Sequence, residues 1–584
     1  MLFPEAKSEI QKQKILSSRV FKKALEKMQR RCTQYADTPI ETLPFSHYRK
    51  FYQDGDRRSY EDLYFARRGR LSYLALSVLL YSDEKDIQSL EDAIWAVCDE
   101  FTWVVPAHNK GFSDSLHTEM IDLFSAETAF ALSEIHYLLK EQLDPKVIER
   151  IEECLEERIF KMYLEHTFYW EKLKTNWAAV CAGSVGAAFL YVAPERFSLV
   201  HDRILNTLDS FLDGFGEDGI CLEGLDYWGY GFGFFTYFAQ LLYEFTNGRE
   251  NLFERPICSK IAYFQEYSYL KGNHTISFSD GFRTGTFLPG LTHKMHQLYG
   301  TKLLPMEYAK FSDYCHRFPA YLRNFFWVDP DVSVNSGAEE KEVDKYFPSA
   351  QWYIVNRKGL ALAAKAGNNN EPHNHNDIGS FSLVSDEGPV LCDFGSGEYT
   401  GGYFHPKTRY DYLCNSSLGH SVPIIDGKGQ CNGKDYCGQM LNYGNGAFSV
   451  DIAGAYDVEG LFSVKRDLLL DKGKFTLTDK FQFQQEQKLN VTERFVTTMK
   501  PEYREQILKL GKYRLSSEPN ILPRISSSEL VNRFGETEIL YLIDYELGEL
   551  TEFQLEVQKE EKTEMKKQTK NFLDGILRVW KKGD

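Results

Sequence analysis

Residues 371–395, "EPHNHNDIGSFSLVSDEGPVLCDFG", join a dense polar cluster to a pattern of alternating apolar and polar side chains. The alternating part turns at residues 386–388, Asp-Glu-Gly, and predicts a β-hairpin. Ahead of it, His373, His375 and Asp377 occupy alternate positions, and residues two apart on a strand face the same side. The pattern therefore predicts a strand on which these three side chains converge, as a metal site, a catalytic base or both would require.

The periodicity of the sequence differs between its two halves. In the first half, apolar residues recur at helical spacing, as in residues 201–215, and residues 175–192 are apolar on several faces, which predicts a buried helix. In the second half the period falls to two, with short strands separated by glycine, aspartate and lysine. We therefore predict an α+β multidomain protein, helical over residues 1–335 and built of antiparallel sheets over residues 336–584. The charged tail is compatible with a short C-terminal helix.

The 584-residue chain is acidic, with a net charge of −16 at pH 7. This charge argues against a nucleic-acid partner and against capture of a long polyanion, whereas a short anionic ligand in a locally basic pocket fits. The sequence shows no membrane span of roughly 20 apolar residues and no apolar core of a signal peptide, so we expect no membrane partner and a cytoplasmic location. The eleven cysteines, without a CxxC motif, are typical of reduced thiols.

Further potential metal ligands follow the histidine cluster. If Ser385 pairs with Pro389, Asp393 lies on the same face as the histidines, although a bend near Gly379 is needed to bring it close. His420 begins a later strand. Two histidines and one carboxylate with an open position are typical of zinc. The alternative is that these histidines only form hydrogen bonds in the core.

The helical first half and the later motifs "HNHNDIGSF", "VLCDFG" and "RYDYLCNSSLGHSV", in this order, resemble the heparinase II/III-like polysaccharide lyases. The resemblance implies an N-terminal (α/α) toroid, a C-terminal antiparallel β-sandwich and an active site in the cleft between them. It implies that His375, Asp393 and His420 bind a metal, usually zinc, and that His373 is catalytic. It implies no organic cofactor.

Two motifs in the helical half also resemble this family. "TNWAAVC" matches the segment whose asparagine contacts the uronate carboxylate, here Asn176, and "DGICLEGLDYWGYG" matches the segment of the catalytic tyrosine. Tyr230 is preferred for that role and Tyr227 is the alternative, since residues three apart share a helix face. Trp177 stands where alginate-type and heparinase-II-type sites have a histidine, which removes one candidate base.

The implied reaction is β-elimination from a uronate-containing poly- or oligosaccharide, with a glycosaminoglycan favoured over alginate. A proton leaves C5, the C4–O bond breaks, and the product is a 4,5-unsaturated uronate. Asn176 would stabilise charge on the carboxylate, His373 or Tyr230 would take the proton, and Tyr230 would protonate the leaving oxygen. The expected partner is an acidic oligosaccharide, and homo-oligomer formation is left open.

Other residues are candidates for substrate binding, each with a structural alternative such as core packing, helix capping or a place in a surface loop. They are Trp103, His108, Glu223, Arg409 and Tyr410.

Three other functions are compatible with parts of the sequence. A glycoside hydrolase on the same helical scaffold would need two carboxylates across the sugar, for which Asp218, Glu223 and Asp226 are available, but the HNH motif would have no role. A catalytically inactive carbohydrate-binding protein would not need the complete set of site residues. A zinc hydrolase is indicated only by the His-x-His spacing, which is weak evidence by itself.

Overall fold

The computed structural model describes residues 1–109, 120–331, 342–484, 489–504 and 507–560. The predicted domain boundary at residue 335 and the predicted C-terminal helix lie outside these ranges, so both stay predictions. In the described part of the chain, no helix is long and apolar enough to cross a membrane.

The first half of the chain is helical, as predicted. The α-helices of the described ranges are α1 (Pro4–Lys7), α2 (Glu9–Ser17), α3 (Lys22–Asp37), α4 (Phe45–Tyr48), α5 (Lys50–Asp54), α6 (Arg58–Tyr81), α7 (Glu84–Cys98), α8 (Leu123–Leu139), α9 (Pro145–Leu155), α10 (Lys161–Glu165), α11 (Asn176–Val192), α12 (His201–Leu212), α13 (Leu225–Tyr227), α14 (Gly233–Phe245), α15 (Pro256–Ser268), α16 (Pro289–Tyr299) and α17 (Phe318–Phe326). A π-helical turn, Trp228–Phe232, joins α13 to α14 and carries Tyr230.

Helix α11 shows why the centre of this half is closely packed. It is apolar all round and buried almost throughout. Its small residues let neighbouring helices approach, since a methyl group on Gly186 would lie 2.4 Å from the Phe238 ring of α14. The prediction of a buried helix with close neighbours is confirmed, and the packing holds Asn176 in place at the start of the helix.

Strands dominate the second half, and only the first two precede it. They are β1 (Tyr269–Lys271), β2 (His274–Thr275), β3 (Val343–Phe347), β4 (Trp352–Arg357), β5 (Leu360–Lys365), β6 (Asn368–Asn369), β7 (Phe381–Ser385), β8 (Gly388–Leu391), β9 (Ile424–Ile425), β10 (Gly433–Cys437), β11 (Gln439–Gly444), β12 (Ala447–Asp451), β13 (Leu461–Asp471), β14 (Lys474–Phe483), β15 (Val491–Thr497), β16 (Glu502–Arg504), β17 (Ile507–Leu510), β18 (Tyr513–Glu518), β19 (Arg524–Val531), β20 (Thr537–Gly548) and β21 (Glu552–Lys559).

The larger sheets of this half have the orders β3-β4-β5-β7-β8, β11-β12-β13-β14-β21-β18-β17-β16 and β19-β20-β15-β9. All their strand pairs are antiparallel. Side chains from all three sheets, such as Val355, Leu468 and Phe495, belong to one buried cluster. The helical first half and the antiparallel second half are therefore as predicted, whereas ring closure of the helices and a two-layer sandwich stay predictions.

The predicted hairpin after the histidines is β7–β8. Its register differs by one residue from the expected one, because Ser385 pairs with Gly388 rather than Pro389. Gly379 has a φ of +83°, so the bend expected there is present. Ser380 Oγ donates a hydrogen bond to Asp393 Oδ1 at 3.0 Å, so the end of the hairpin lies beside the histidine segment.

Candidate active site

The segment that carries the histidines is not a strand. Strand β7 begins only at Phe381, and His373 has a left-handed φ of +56° within a series of turns. The prediction that His373, His375 and Asp377 share one side of a strand is therefore wrong. The physical reason is that the backbone of this segment follows the tertiary contacts of its polar side chains and not the local alternation of residue types.

Asp280 organises these contacts, and sequence reasoning missed it. It is fully buried and accepts hydrogen bonds from His373 Nδ1 (2.6 Å), His375 Nε2 (3.1 Å) and Tyr403 Oη (2.5 Å). Burial alone would raise the pKa of Asp280, but the hydrogen bonds from the two histidines hold it well below its usual value. No local signal marks this aspartate, which precedes His373 by 93 residues.

Asp280 also sets the tautomer of His373. An ionised carboxylate only accepts hydrogen bonds, so Nδ1 carries the proton and a neutral ring keeps its lone pair at Nε2. Nε2 lies 3.6 Å from Glu223 Oε1, which is beyond hydrogen-bond distance. His373 itself lines a cavity. His373 is thus arranged to accept a proton at Nε2.

Tyr227 lies directly against His373. The two ring centroids are 4.3 Å apart, and Tyr227 Oη is 2.8 Å from Tyr399 Oη. Burial raises the pKa of Tyr227, and the charge of Arg533 opposes this shift. The phenol therefore keeps its proton at neutral pH, as a general acid requires.

Tyr230 is held by other groups. Its hydroxyl donates to Glu127, and the Arg317 guanidinium carbon lies 3.9 Å from its ring centroid. Arg317 in turn forms ion pairs with Glu127 (2.9 Å) and Asp313 (2.6 Å). Burial, and then the Glu127 carboxylate, raise the pKa of Tyr230 well above its usual value. Tyr230 therefore belongs to a network of buried ion pairs.

A cavity of about 490 Å³ lies between the helical half and the β half. Asn176, Tyr227, Tyr230 and His373 all line it, so the structure brings together the residues that the motifs single out. The backbone N–H of Asn176 donates to Glu223 Oε2 (3.1 Å), whereas its side-chain amide has no hydrogen bond within the described residues. The amide is therefore available to bind an anionic group in the cavity.

Of the candidate substrate-binding residues, one lines this cavity and a second lies next to Asn176, which lines it. His108 lines it, and its Nδ1 is 2.8 Å from Asp122 Oδ2. Glu223 is buried behind Asn176. Burial raises the pKa of Glu223, and the charge of His373 opposes this shift. Glu223 thus supports Asn176 and faces His373.

Trp103, Arg409 and Tyr410 do not line the cavity. Trp103 is buried in the helical core, where its indole N–H donates to the Val97 carbonyl at 2.9 Å. Arg409 Nε donates to the Asn374 carbonyl (3.0 Å), and Tyr410 Oη accepts from Asn374 Nδ2 (3.1 Å). Arg409 and Tyr410 therefore hold the histidine segment, and these positions do not favour substrate contact for any of the three.

Asp377, Asp393 and His420 form a buried group whose potential ligand atoms all lie within 4.8 Å of one another. His420 Nε2 donates to the Cys414 carbonyl (2.9 Å), so on a neutral ring Nδ1 presents a lone pair to Asp393 Oδ1 at 3.0 Å. Two acceptors at this distance repel each other unless a cation or a proton lies between them. The group therefore fits a divalent cation with nitrogen and oxygen ligands.

Buried atoms without a hydrogen-bond partner occur in the same place. Within the described residues they are Asp377 Oδ2, Asp393 Oδ2, His420 Nδ1 and His375 Nδ1. His375 is not part of the mutually close group, and its Nε2 is bound to Asp280, but its ring centroid lies 5.3 Å from that of His420. Of the three predicted ligands, Asp393 and His420 thus lie together, and Asp377 takes the third position in the group.

The C-terminal half matches a known family. The model for "Heparinase II/III-like, C-terminal" matches residues 339–523, which include the histidine segment and His420. The resemblance to this family is confirmed. No curated protein sequence matches the chain at a significant level.

Solved structures extend the likeness to the helical half. A crystal structure of heparinase III has a TM-score of 0.61 and 14% identity, over 86% of this chain and 78% of that one. A second heparinase III has a TM-score of 0.57 and 11% identity, over 91% and 84%. Heparan sulfate lyase HepC from Pedobacter heparinus has a TM-score of 0.52 and 13% identity, over 90% and 84%. At these identities the likeness establishes the fold alone. This chain, including its heparinase II/III-like segment, has the fold of heparinase III.

Proposed function

We propose that this protein is a lyase that cleaves a uronate-containing oligosaccharide by β-elimination, with the toroid and β-sandwich of the family. The observation that carries the proposal is that Asp280 binds Nδ1 of His373 and leaves Nε2 free, on a residue that lines a cavity together with Asn176 and Tyr227. Because the solved relatives are named as heparinases and a heparan sulfate lyase, a glycosaminoglycan is favoured over alginate.

The cavity supplies a group for each step of the elimination. The C5 proton of a uronate is weakly acidic while the carboxylate is ionised, so a donor must stabilise the charge that develops on the carboxylate oxygens. The free amide of Asn176 is such a donor. His373 Nε2 takes the C5 proton, and the electron pair of the C5–H bond becomes the 4,5 double bond as the C4–O bond breaks.

The leaving oxygen then needs a proton, and the geometry favours Tyr227 over Tyr230 as its source. The Tyr227 ring packs against the His373 ring, so the phenol belongs to the immediate surroundings of the group that removes the C5 proton. The Tyr230 hydroxyl donates to Glu127 within the Arg317 network. The initial preference for Tyr230 is therefore replaced by Tyr227 as the proposed acid.

The proposed metal is zinc, and its role is structural. Asp393 and His420 would bind the zinc ion, and the third ligand would be Asp377 or His375. Asp377 Oδ2 and His375 Nδ1 are buried without a hydrogen-bond partner in the described structure. When bound, zinc would supply a rigid link between the histidine segment and the loops that carry Asp393 and His420. The proton transfers belong to the side chains of the chain itself.

The shape of the cavity favours short substrates. The two halves touch beside it, where Gly401 N donates to the Gly55 carbonyl at 3.2 Å and Arg58 donates to the Phe534 carbonyl. Arg58 and Phe534 both line the cavity. We infer that a cavity of about 490 Å³ with such contacts beside it is suited to an oligosaccharide end more than to the middle of a long chain.

The test is to mix the protein with heparan sulfate, chondroitin and alginate oligosaccharides and to follow the ultraviolet absorbance of the conjugated alkene. A rise with one of them establishes the lyase and its uronate. New reducing ends without a rise would mean a hydrolase on this scaffold. Neither change with any substrate would contradict the proposal.

A matched pair of variants tests the choice of acid. We expect Tyr227→Phe to lower kcat by about 100-fold or more, the usual contribution of a general acid, and Tyr230→Phe to keep kcat within about tenfold. The reverse order would assign the acid to Tyr230.

A further inference from the structure

The tip of the β19–β20 hairpin, residues 532–536, reaches from the β half to the wall of the cavity. Its Phe534 ring stacks on Phe282 with centroids 5.2 Å apart, and its Phe534 carbonyl accepts a hydrogen bond from Arg58 at the start of α6. Gly535 has a φ of +77°, and a methyl group there would overlap Arg58. The tip is therefore fixed in place by the helical half.

This anchoring places Arg533 inside the cavity. Its guanidinium carbon lies 4.5 Å from the ring centroid of Tyr399 and 5.6 Å from that of Tyr227. Tyr227 is the residue that contacts His373. Arg533 thus lies on the same aromatic wall as the proposed catalytic pair, and it comes from a hairpin beyond the family match, which ends at residue 523.

Unlike the other arginines of the wall, Arg533 forms no ion pair with an acidic residue in the described part of the chain. Arg57 pairs with Glu61 at 2.8 Å, and Arg317 pairs with Asp313 at 2.6 Å. Within the described residues, the Arg533 guanidinium forms neither an ion pair nor a hydrogen bond, although its face packs on tyrosine rings. Its planar fork of N–H donors is therefore available to a ligand.

One acid of the wall lies within electrostatic reach of Arg533. Burial raises the pKa of Asp226 to about 6, and the charges of Arg533 and Lys310 oppose this shift. Asp226 forms no ion pair with either of them in the described structure. It therefore leaves the donors of Arg533 unoccupied.

We propose that Arg533 binds a second oxyanion of the substrate, a sulfate or a carboxylate on the sugar next to the cleaved uronate. The proposal rests on the proposed function, in which the amide of Asn176 takes the carboxylate of the cleaved uronate itself. A guanidinium binds such groups through two parallel charge-assisted hydrogen bonds. Arg533 is thus a specificity-determining residue and takes no part in proton transfer.

The test is calorimetric titration of wild-type protein, Arg533→Gln and Arg524→Gln with two heparan-type tetrasaccharides, one sulfated and one desulfated and N-acetylated. Arg524 is the matched control, because it lies on β19 of the same hairpin but is exposed and outside the cavity lining. Inorganic sulfate is titrated as a third probe, which requires no turnover. Thermal unfolding of each variant checks that the fold is retained.

We expect Arg533→Gln to weaken binding about tenfold or more, and Arg524→Gln to leave it unchanged. Weakening for the sulfated tetrasaccharide alone identifies a sulfate, and equal weakening for both identifies a carboxylate. If wild-type protein binds neither tetrasaccharide but binds inorganic sulfate through Arg533, the anion site stands and the proposed substrate fails. Unchanged binding in Arg533→Gln, or no binding of any probe by wild-type protein, overturns the proposal.

Discussion

At the scale of single residues, one buried carboxylate links the parts of the site. Asp280 binds His373, the proposed base, and His375, which lies beside the metal-type group. Burial of a carboxylate at this position carries a desolvation free-energy penalty, and the several hydrogen bonds that the carboxylate accepts offset it. We therefore propose that Asp280 acts on the reaction indirectly, through the orientation and tautomer of His373.

We expect Asp280→Asn to lower kcat by about 10- to 100-fold with little change in KM. The asparagine amide can donate to Nδ1 of His373, and this favours the tautomer with its proton on Nε2, where the C5 proton has to be accepted. Steady-state kinetics with the best uronate substrate measures the effect, and thermal unfolding checks the fold. A rise in KM at constant kcat would show that Asp280 serves substrate binding instead.

At the scale of elements, the histidine segment depends on side chains of the loops around it. Asp393 follows β8, His420 precedes β9, and Asp377 precedes β7, so three chain segments meet at the metal-type group. Lys365 at the end of β5 binds Asp377 at 2.7 Å and balances part of its charge. Several buried ligand atoms of these loops have no hydrogen-bond partner in the described structure, and a bound cation would coordinate them.

We expect purified wild-type protein to contain about one zinc ion per chain, and His420→Ala to lose it. His373→Ala is the matched control, since it should lose activity and keep the metal. Elemental analysis gives the metal content, and a chelator should lower the unfolding temperature of wild-type protein and of His373→Ala, but not of His420→Ala. Wild-type protein without metal would mean that a proton, shared by His420 and Asp393, holds the group together.

At the scale of the whole molecule, the response of stability to pH depends on histidines that fold in the neutral form. His293 in α16 is 5% exposed, and its Nδ1 accepts the backbone N–H of Asp329 at 3.2 Å. Burial lowers its pKa to about 4. The unfolded chain therefore takes up a proton below about pH 6.5 that the folded chain refuses until about pH 4.

We expect the free energy of unfolding to fall as the pH is lowered from about 6.5 to about 4, with a contribution from His293 on the order of 3 kcal/mol. Above pH 6.5 the histidine is neutral in both states and contributes no pH dependence. Denaturant unfolding at several pH values measures the slope, which should be shallower in His293→Asn, a variant that keeps an acceptor and cannot take up the proton. Equal slopes in the two proteins would contradict the assignment.

Local patterns in the sequence were sufficient for most of the secondary structure and for most residue types of the site. Helix α12 and the strands of the second half follow from side-chain periods of 3.6 and two, because burial on one face is a local requirement. The motifs pointed to Asn176, the tyrosine pair and His373, which the fold brings to one cavity. They also pointed to Asp393 and His420, which the fold brings within ligand distance of each other.

What only the tertiary structure decided are the contacts between residues far apart in the chain. Asp280 contacts His373 although 93 residues separate them in the sequence. The histidine segment, predicted as a strand, follows such contacts and forms a series of turns. Arg533 reaches Tyr227 on the tip of a hairpin from the other half of the chain. A periodic pattern records which side of an element is buried, whereas the partner of a buried charge depends on the path of the whole chain. The preference for His373 over Tyr230 as the proposed base, the carboxylate that binds His373 and the free arginine could therefore be inferred only from the folded protein.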